Sequence, residues 1–285
     1  MSTTGLLVLV AGIAARRREL TRGPVLERAI ALGRIFVAAP LATFGGLHLA
    51  AARELSQMVP AYMPWRLFWA YLVGVALLAT ACSLIFNRAV RWSGLLAGMM
   101  LLLFVAMLDV PNVVAHQQDR FAWAVLLRNS AFAAGLLALA GSIAAQARGW
   151  ARLITPSRLV FAITALFFAA EHFLHPLHVP AVPLERLMPA WVPAPQVLDY
   201  AMGAVLLVTG TLLLVNRWAR AAAAWLGFVV TVVVVVIYLP MLGPSHGAAE
   251  LVDTINYIAD TLLLAGTALI LAEALSIKPA AATSA

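Results

Sequence analysis

Long apolar stretches separated by short polar connectors run through most of the chain. A helix needs ~20 apolar residues to cross ~30 Å of hydrocarbon, and eight stretches are long enough to do so. The predicted spans are residues 30–52, 66–87, 92–114, 121–145, 157–176, 196–216, 219–240 and 250–275. The pattern therefore predicts an all-α integral membrane protein with eight transmembrane helices.

The two ends of the chain lie outside this pattern. The apolar run at 5–15 is too short to span a bilayer. Arginines follow it, whereas a secretory signal peptide carries its positive charges in front of the apolar run. We predict that residues 1–28 form a cytoplasmic arm, either amphipathic or disordered, and that residues 276–285 form a cytoplasmic tail.

The amino-acid composition is also typical of a protein embedded in a lipid bilayer, which we predict to be the partner of this chain. Hydrophobic residues make up 64% of the sequence, charged residues 11%, and the mean hydropathy is +0.96. Soluble domains carry about 25% charged residues. The net charge of +7 would also suit nucleic acid, but the arginines sit in short segments between apolar runs, so we predict no nucleic-acid partner. Cys82 is the one cysteine, which excludes an internal disulfide.

Charge is distributed unequally between the two sides that alternating spans define. Arginines cluster before the first span and between spans two and three, four and five, and six and seven. All six histidines and most acidic residues fall at the opposite side. Because basic connectors stay in the cytoplasm, both termini are predicted to be cytoplasmic, and any site chemistry lies at the outer face.

The sequence also repeats. Arg34 and His48 are fourteen positions apart, as are Arg158 and His172. The pairs separated by 129 positions are Tyr71/Tyr200, Gly74/Gly203, Asn87/Asn216, Arg88/Arg217, Arg91/Arg220, Gly98/Gly227 and Pro111/Pro240. We therefore predict two four-helix bundles, residues 29–146 and 157–275. Because each unit has an even number of spans, the repeat is predicted to be parallel rather than inverted.

The strongest candidate site lies where the fifth span ends. Glu171, His172 and His175 come together there, and Glu171 and His175 share a helix face because they are four residues apart. Such side chains handle protons or bind a metal such as iron, zinc or copper. Alternatively, they are histidines at a wet interface. His178 follows Pro176, so we expect its removal to have a mild effect.

Further polar residues are predicted at the same membrane face. His48 occupies the position equivalent to His172, and Asp109 and His116 flank the end of the third span, so we predict that these three border a cofactor cavity. Arg128 is expected to form a structural ion pair with Asp109 or Asp260. The Pro-rich connectors carry Trp65 and Trp191, which are either interfacial anchors or part of a lid over a lipidic ligand.

These motifs resemble a known family. A span ending in His-Phe or His-Leu is followed by a loop of the type (M/V)PAxxP, as in Met188-Pro189-Ala190. Next comes a helix with Tyr-x-x-Gly that ends in an arginine turn, as in Tyr200 to Gly203. This combination resembles the DoxX family of bacterial membrane proteins over 158–240, with a degenerate copy over 34–142.

The resemblance implies a bacterial inner-membrane location, a four-helix bundle per unit and an association with oxidoreductases. Some relatives are a subunit of a thiosulfate:quinone oxidoreductase, and others join membrane complexes with redox enzymes. Two functions are consistent with the sequence. One is a redox subunit that interacts with a quinone and a redox partner protein, in which the histidine and glutamate cluster takes up protons. The other is a scaffold or a small-solute permeation protein without enzymatic activity.

Overall fold

The computed structural model describes residues 2–143, 150–182, 185–243 and 247–276. Regular structure in these ranges is helical, apart from one isolated antiparallel bridge between His178 and Leu187. A first helix, α1, covers Ser2–Ala15. Eight longer apolar helices follow: α2 Val25–Ala50, α3 Arg66–Phe86, α4 Val90–Ala115, α5 Arg120–Ile143, α6 Trp150–Leu174, α7 Pro195–Leu214, α8 Ala219–Leu242 and α9 Ala248–Ala274.

The helical structure confirms the predicted all-α class, and α2 to α9 are eight helices long and apolar enough to cross a membrane, which suits a multi-pass membrane protein. The largest shifts are at the starts of α6 and α2, which begin several residues earlier than predicted. Apart from Ser276, the predicted tail 276–285 lies outside the described residues. We call the two ends of the helix bundle the arginine end, with Arg34, Arg91 and Arg220, and the histidine end, with His48 and His172.

The short apolar run near the N-terminus is ordered as α1, which packs along α2 and α3. The Thr4 hydroxyl donates to the Ala42 carbonyl at 3.0 Å. Gly5 and Gly12 permit the close approach, since a methyl group on Gly12 would lie 2.7 Å from Ile85 Cδ1. The arm predicted as amphipathic or disordered therefore contains a helix that packs against the first span.

Each long helix packs against its neighbours in the chain, and α9 closes the ring by packing against α2. The central contact joins α5 to α9. Accordingly, α2 packs against α3 and α9 rather than closing a separate bundle with α5. Small residues allow these helices to approach closely: a methyl group on Gly266 of α9 would lie 2.7 Å from the Phe36 carbonyl carbon of α2.

Several unusual backbone features occur in pairs along the chain. A π-helical turn covers Val105–Asp109 in α4, and another covers Val234–Tyr238 in α8. Proline follows each turn two residues later, at Pro111 and Pro240, and its missing N–H and its ring disfavour the ordinary i→i−4 bond. Left-handed residues form the pairs Trp65/Ala194, Asn87/Asn216 and Ala89/Trp218. In every pair the two members are 129 positions apart.

Candidate functional site at the histidine end

The end of α6 positions the candidate site. Pro176 restricts the backbone of His175, which leaves the helical conformation with φ −131° and ψ 61°. Glu171 and His172 therefore lie in the last regular turn of α6 and are both buried. His175 lies just beyond it, and 42% of its side chain is exposed. The three predicted residues are close together, but only His175 is open to the surroundings.

His172 lies inside the bundle rather than at a wet edge, and its side chain is 0% exposed. Its Nε2 accepts a hydrogen bond from the Ala181 backbone N–H at 3.2 Å, so the ring proton belongs on Nδ1. Nδ1 lies 2.6 Å from Asp199 Oδ1 on α7, a close polar contact that is poorly aligned as a hydrogen bond. The buried ring is thus surrounded by protein, whereas the sequence predicted a histidine that exchanges protons with water.

Asp199 is the residue that sequence reasoning missed at this position. It is fully buried, and its Oδ2 has no hydrogen-bond partner within the described residues. The close packing of α6 on α7 brings it to His172, since a methyl group on Gly203 would lie 3.1 Å from His172 Cβ. The available signal was a carboxylate inside an apolar helix, which is costly at membrane depth. In the first half, Ala70 stands 129 positions before Asp199, so the pair has no counterpart there.

Glu171 belongs to a second group of side chains. Arg120, the first residue of α5, donates from Nη1 to Glu171 Oε2 at 3.0 Å. Nη2 of the same arginine donates to His178 Nε2 at 2.7 Å. His175 Nε2 lies 4.0 Å from Glu171 Oε2, and His178 Nδ1 donates to the His175 carbonyl at 3.0 Å. We call Arg120, Glu171, His175 and His178 the outer cluster.

Two members of the outer cluster were not anticipated. Arg120 comes 51 positions before Glu171, and no local spacing links the two. The removal of His178 was expected to have a mild effect. In the structure, however, His178 accepts a hydrogen bond from Arg120, and the same guanidinium also bonds to Glu171. Because its Nε2 accepts from Arg120, His178 is neutral in this arrangement, with its proton on Nδ1.

The connector between α6 and α7 covers this region. It folds back on itself through hydrogen bonds from Val179 N–H to the Arg186 carbonyl and from Met188 N–H to the Leu177 carbonyl. The Tyr238 hydroxyl of α8 donates to the Pro180 carbonyl at 3.0 Å, which secures the connector from the other side. Residues 183–184 lie outside the described ranges.

Arg186 attaches the same connector to α9, donating to Thr254 Oγ1 at 2.8 Å and Asp253 Oδ2 at 3.3 Å. Trp191 also lies in this connector, and its side chain is 47% exposed. Such an exposed ring near the end of a span fits an interfacial anchor.

The predicted cofactor residues of the first half each have a separate partner. His48 Nδ1 lies 2.8 Å from the Phe44 carbonyl one turn earlier. His116 is exposed and contacts Asn112 at 3.2 Å. Asp109 is buried and accepts a hydrogen bond from Asn129 Nδ2 of α5 at 2.8 Å. The described structure thus shows no contact that joins these three side chains in one cavity.

Arg128 forms the expected structural ion pair, and its partner is Asp260 of α9 at 2.6 Å. Its Nε also donates to Asn129 Oδ1 at 3.3 Å, which links the pair to Asp109 through the asparagine. Among the described residues, no group of three or more histidine, cysteine, aspartate or glutamate side chains is arranged to hold a metal ion.

Comparison with known proteins adds no family assignment, because no family model, curated protein or solved structure matches the chain.

Proposed function

We propose that the protein is a DoxX-like, redox-associated membrane subunit that binds a quinone head group beside the outer cluster. The observation that carries this proposal is a nearly buried carboxylate, Glu171, beside a half-exposed imidazole, His175, at the end of apolar helices. A quinone head group needs a polar, proton-exchanging surface, and its apolar tail needs lipid or apolar side chains. The end of α6 offers both within one helical turn.

We assign each residue a role in proton transfer or in helix packing according to its exposure. Reduction of a quinone to a quinol consumes two electrons and two protons, and a redox partner protein supplies the electrons. His175 exchanges protons with water because its imidazole is accessible. Glu171 passes a proton inward, and Arg120 stabilises its carboxylate when that proton leaves. The His172–Asp199 pair fixes α6 against α7 and anchors the connector through Ala181.

We further infer that the two halves are a parallel repeat with the arginine end in the cytoplasm. The paired π-helical turns and three pairs of left-handed residues, each pair offset by 129 positions, support the duplication. The contacts also correspond: α2 packs on α3 as α6 packs on α7, and α9 packs on α2 as α5 packs on α6. The basic connectors favour a cytoplasmic arginine end, and the resemblance to the DoxX family favours a bacterial inner membrane.

The test is quinone retention by the purified protein. Glu171→Gln and His175→Ala are expected to lower the bound quinone, extracted and quantified by chromatography, at least tenfold. His116→Ala is the matched control, because this exposed histidine lies at the same end and its ring contacts Asn112 rather than the outer cluster. A wild-type protein without quinone, or two site variants that keep it, would contradict the proposal.

A second function is favoured by a different observation. The charges of Arg128 and Asp260 are paired with each other within the protein, which suits a scaffold in which charged side chains hold helices together. A scaffold or permeation protein would show no quinone and no effect of Glu171→Gln on partner assembly. Solute flux into liposomes without any redox partner would favour permeation.

A further inference from the structure

A pocket opens at the arginine end, away from the outer cluster. It has a volume of about 540 Å³ and lies where α2 meets the turn between α3 and α4. Arg34, Asn87, Arg91 and Trp92 supply most of its polar and aromatic lining. Arg34 is already paired there, since its guanidinium bonds with Glu273 at 2.6 Å and with Asn87 Oδ1 at 3.0 Å.

Arg91 is the unpaired cation of this pocket. Its guanidinium carbon lies 4.5 Å from the centre of the Trp92 ring and 4.8 Å from that of Trp150, so two indoles hold it in place. Within the described residues it makes no hydrogen bond or ion pair, and its Nε is buried without a partner. A guanidinium presents five N–H donors in a fixed plane, which match the oxygens of a phosphate or carboxylate.

The backbone adds to the same positive field. Helix α4 begins at Val90, and Ala89, which precedes it in a left-handed conformation, provides no side-chain cap. The first N–H groups of a helix carry a partial positive charge and favour an anion. The pocket therefore combines a fixed, unpaired arginine with an uncapped helix start.

The second half provides an internal comparison. A depression 129 positions later is lined by Asn216, Trp218 and Arg220, the last being the equivalent of Arg91. There the arginine is neutralised by the protein, because Arg220 Nη2 donates to Glu27 Oε1 at 2.5 Å. Arg220 thus has the Glu27 carboxylate as its anionic partner, whereas the equivalent position beside Arg91 is open to an external anion.

We propose that the pocket around Arg91 binds the phosphate of an anionic phospholipid head group. The surroundings favour a lipid over a free anion, since Trp92 is 51% exposed, and Phe86 and Leu96, six and four positions from it in the chain, are 70% and 66% exposed. Indole rings reside at head-group depth, and the exposed apolar side chains offer a surface for acyl chains. Basic pockets between transmembrane helices are known sites for acidic head groups. The proposal does not depend on the redox function.

Native mass spectrometry of the full-length protein in detergent tests this site, with phosphatidylglycerol and phosphatidylcholine as separate probes. Arg91→Gln is expected to lower the apparent affinity for phosphatidylglycerol about fivefold or more, as loss of one interfacial charge implies. Arg220→Gln is the matched control and should leave that affinity unchanged. Phosphatidylcholine should bind weakly to all three proteins.

A second variant and a competition experiment complete the test. Arg91→Lys retains the charge and should keep part of the affinity if Arg91→Gln fails to fold. Millimolar inorganic phosphate should not displace the lipid; displacement would identify a free-anion site and overturn the lipid assignment. Equal affinities of Arg91→Gln and wild type, or equal losses in both glutamine variants, would also overturn it.

Discussion

Breaking the ion pair between Arg128 and Asp260 is the sharpest test of how the bundle is held together. The pair joins α5 to α9 at the central helix contact, with 14% and 17% of the two side chains exposed. Asp260→Asn keeps the side-chain volume but leaves the guanidinium with Asn129 Oδ1 at 3.3 Å and the Phe132 ring at 5.8 Å. Its charge then has no compensating carboxylate of its own.

The expected cost follows from that geometry. Removing one partner of a buried ion pair costs about 3–5 kcal/mol, because an uncompensated charge stays buried. The surviving contacts of Arg128 place Asp260→Asn near the lower limit, at about 3 kcal/mol. The double variant Arg128→Met/Asp260→Leu removes both charges and should return to within about 1 kcal/mol of wild type. A double-mutant cycle built from Arg128→Met, Asp260→Leu and the double variant should show coupling, because each single change leaves one charge buried without its partner and the double change leaves none.

Reversible unfolding in mixed micelles of dodecyl sulfate, followed by circular dichroism, measures these free energies. Asp253→Asn is the matched control: it removes the carboxylate of the Arg186–Asp253 pair, whose aspartate is 58% exposed, and should cost less than about 1 kcal/mol. If Asp260→Asn costs no more than this control, or if the cycle shows no coupling, the pair does not lock α5 to α9.

Three further predictions concern the site and the topology. His178→Ala should weaken quinone retention at least threefold, measured by extraction, because Arg120 loses the acceptor that orients it toward the carboxylate; unchanged retention would restore the mild effect expected from sequence. Gly203→Leu should lower the unfolding midpoint in the same micelle assay, because even a methyl group at this position would lie 3.1 Å from His172 Cβ. An unchanged midpoint would show that α6 and α7 can separate to accommodate the larger side chain. Thr4 lies beside Ala42, inside the α2 span, so we expect a reporter before the first residue at the histidine side and one after the last residue at the arginine side. This expectation differs from the sequence-based prediction that both termini are cytoplasmic; two reporters on the same side would support that prediction instead.

The spans were predictable because a helix in lipid must be apolar over about 20 residues, and such stretches are easily recognised in a single sequence. The same argument missed α1, whose apolar run was judged only by its length. Its stability comes instead from packing: Gly5 and Gly12 let the helix approach α2 closely, as small residues do in membranes. Such a contact depends on which faces meet, and a hydropathy pattern carries little information about that.

The candidate site was predictable only in part, for a similar reason. Glu171 and His175 share a helix face, so spacing alone brought them together. The partners that define the chemistry, Asp199 and Arg120, come from other helices and depend on how α5, α6 and α7 are aligned. Intramembrane charge was a usable signal for Asp199, but nothing in the sequence identified His172 as its partner.

The divergence of the two halves argues that each end of the bundle carries one site rather than two. At the histidine end the first half has Ala70 where the second has Asp199, and Leu47 stands before His48 where Glu171 stands before His172. At the arginine end the relation is reversed, because Arg91 of the first half has no ion-pair partner among the described residues, while Glu27 neutralises its counterpart Arg220. Under the proposed duplication, single changes of charge distinguish the two halves at each end of the bundle. We infer that restoring a charge should not rebuild a site by itself: Ala70→Asp would bury a carboxylate beside His48, whose Nδ1 is already bonded to Phe44, and should lower stability without adding quinone retention.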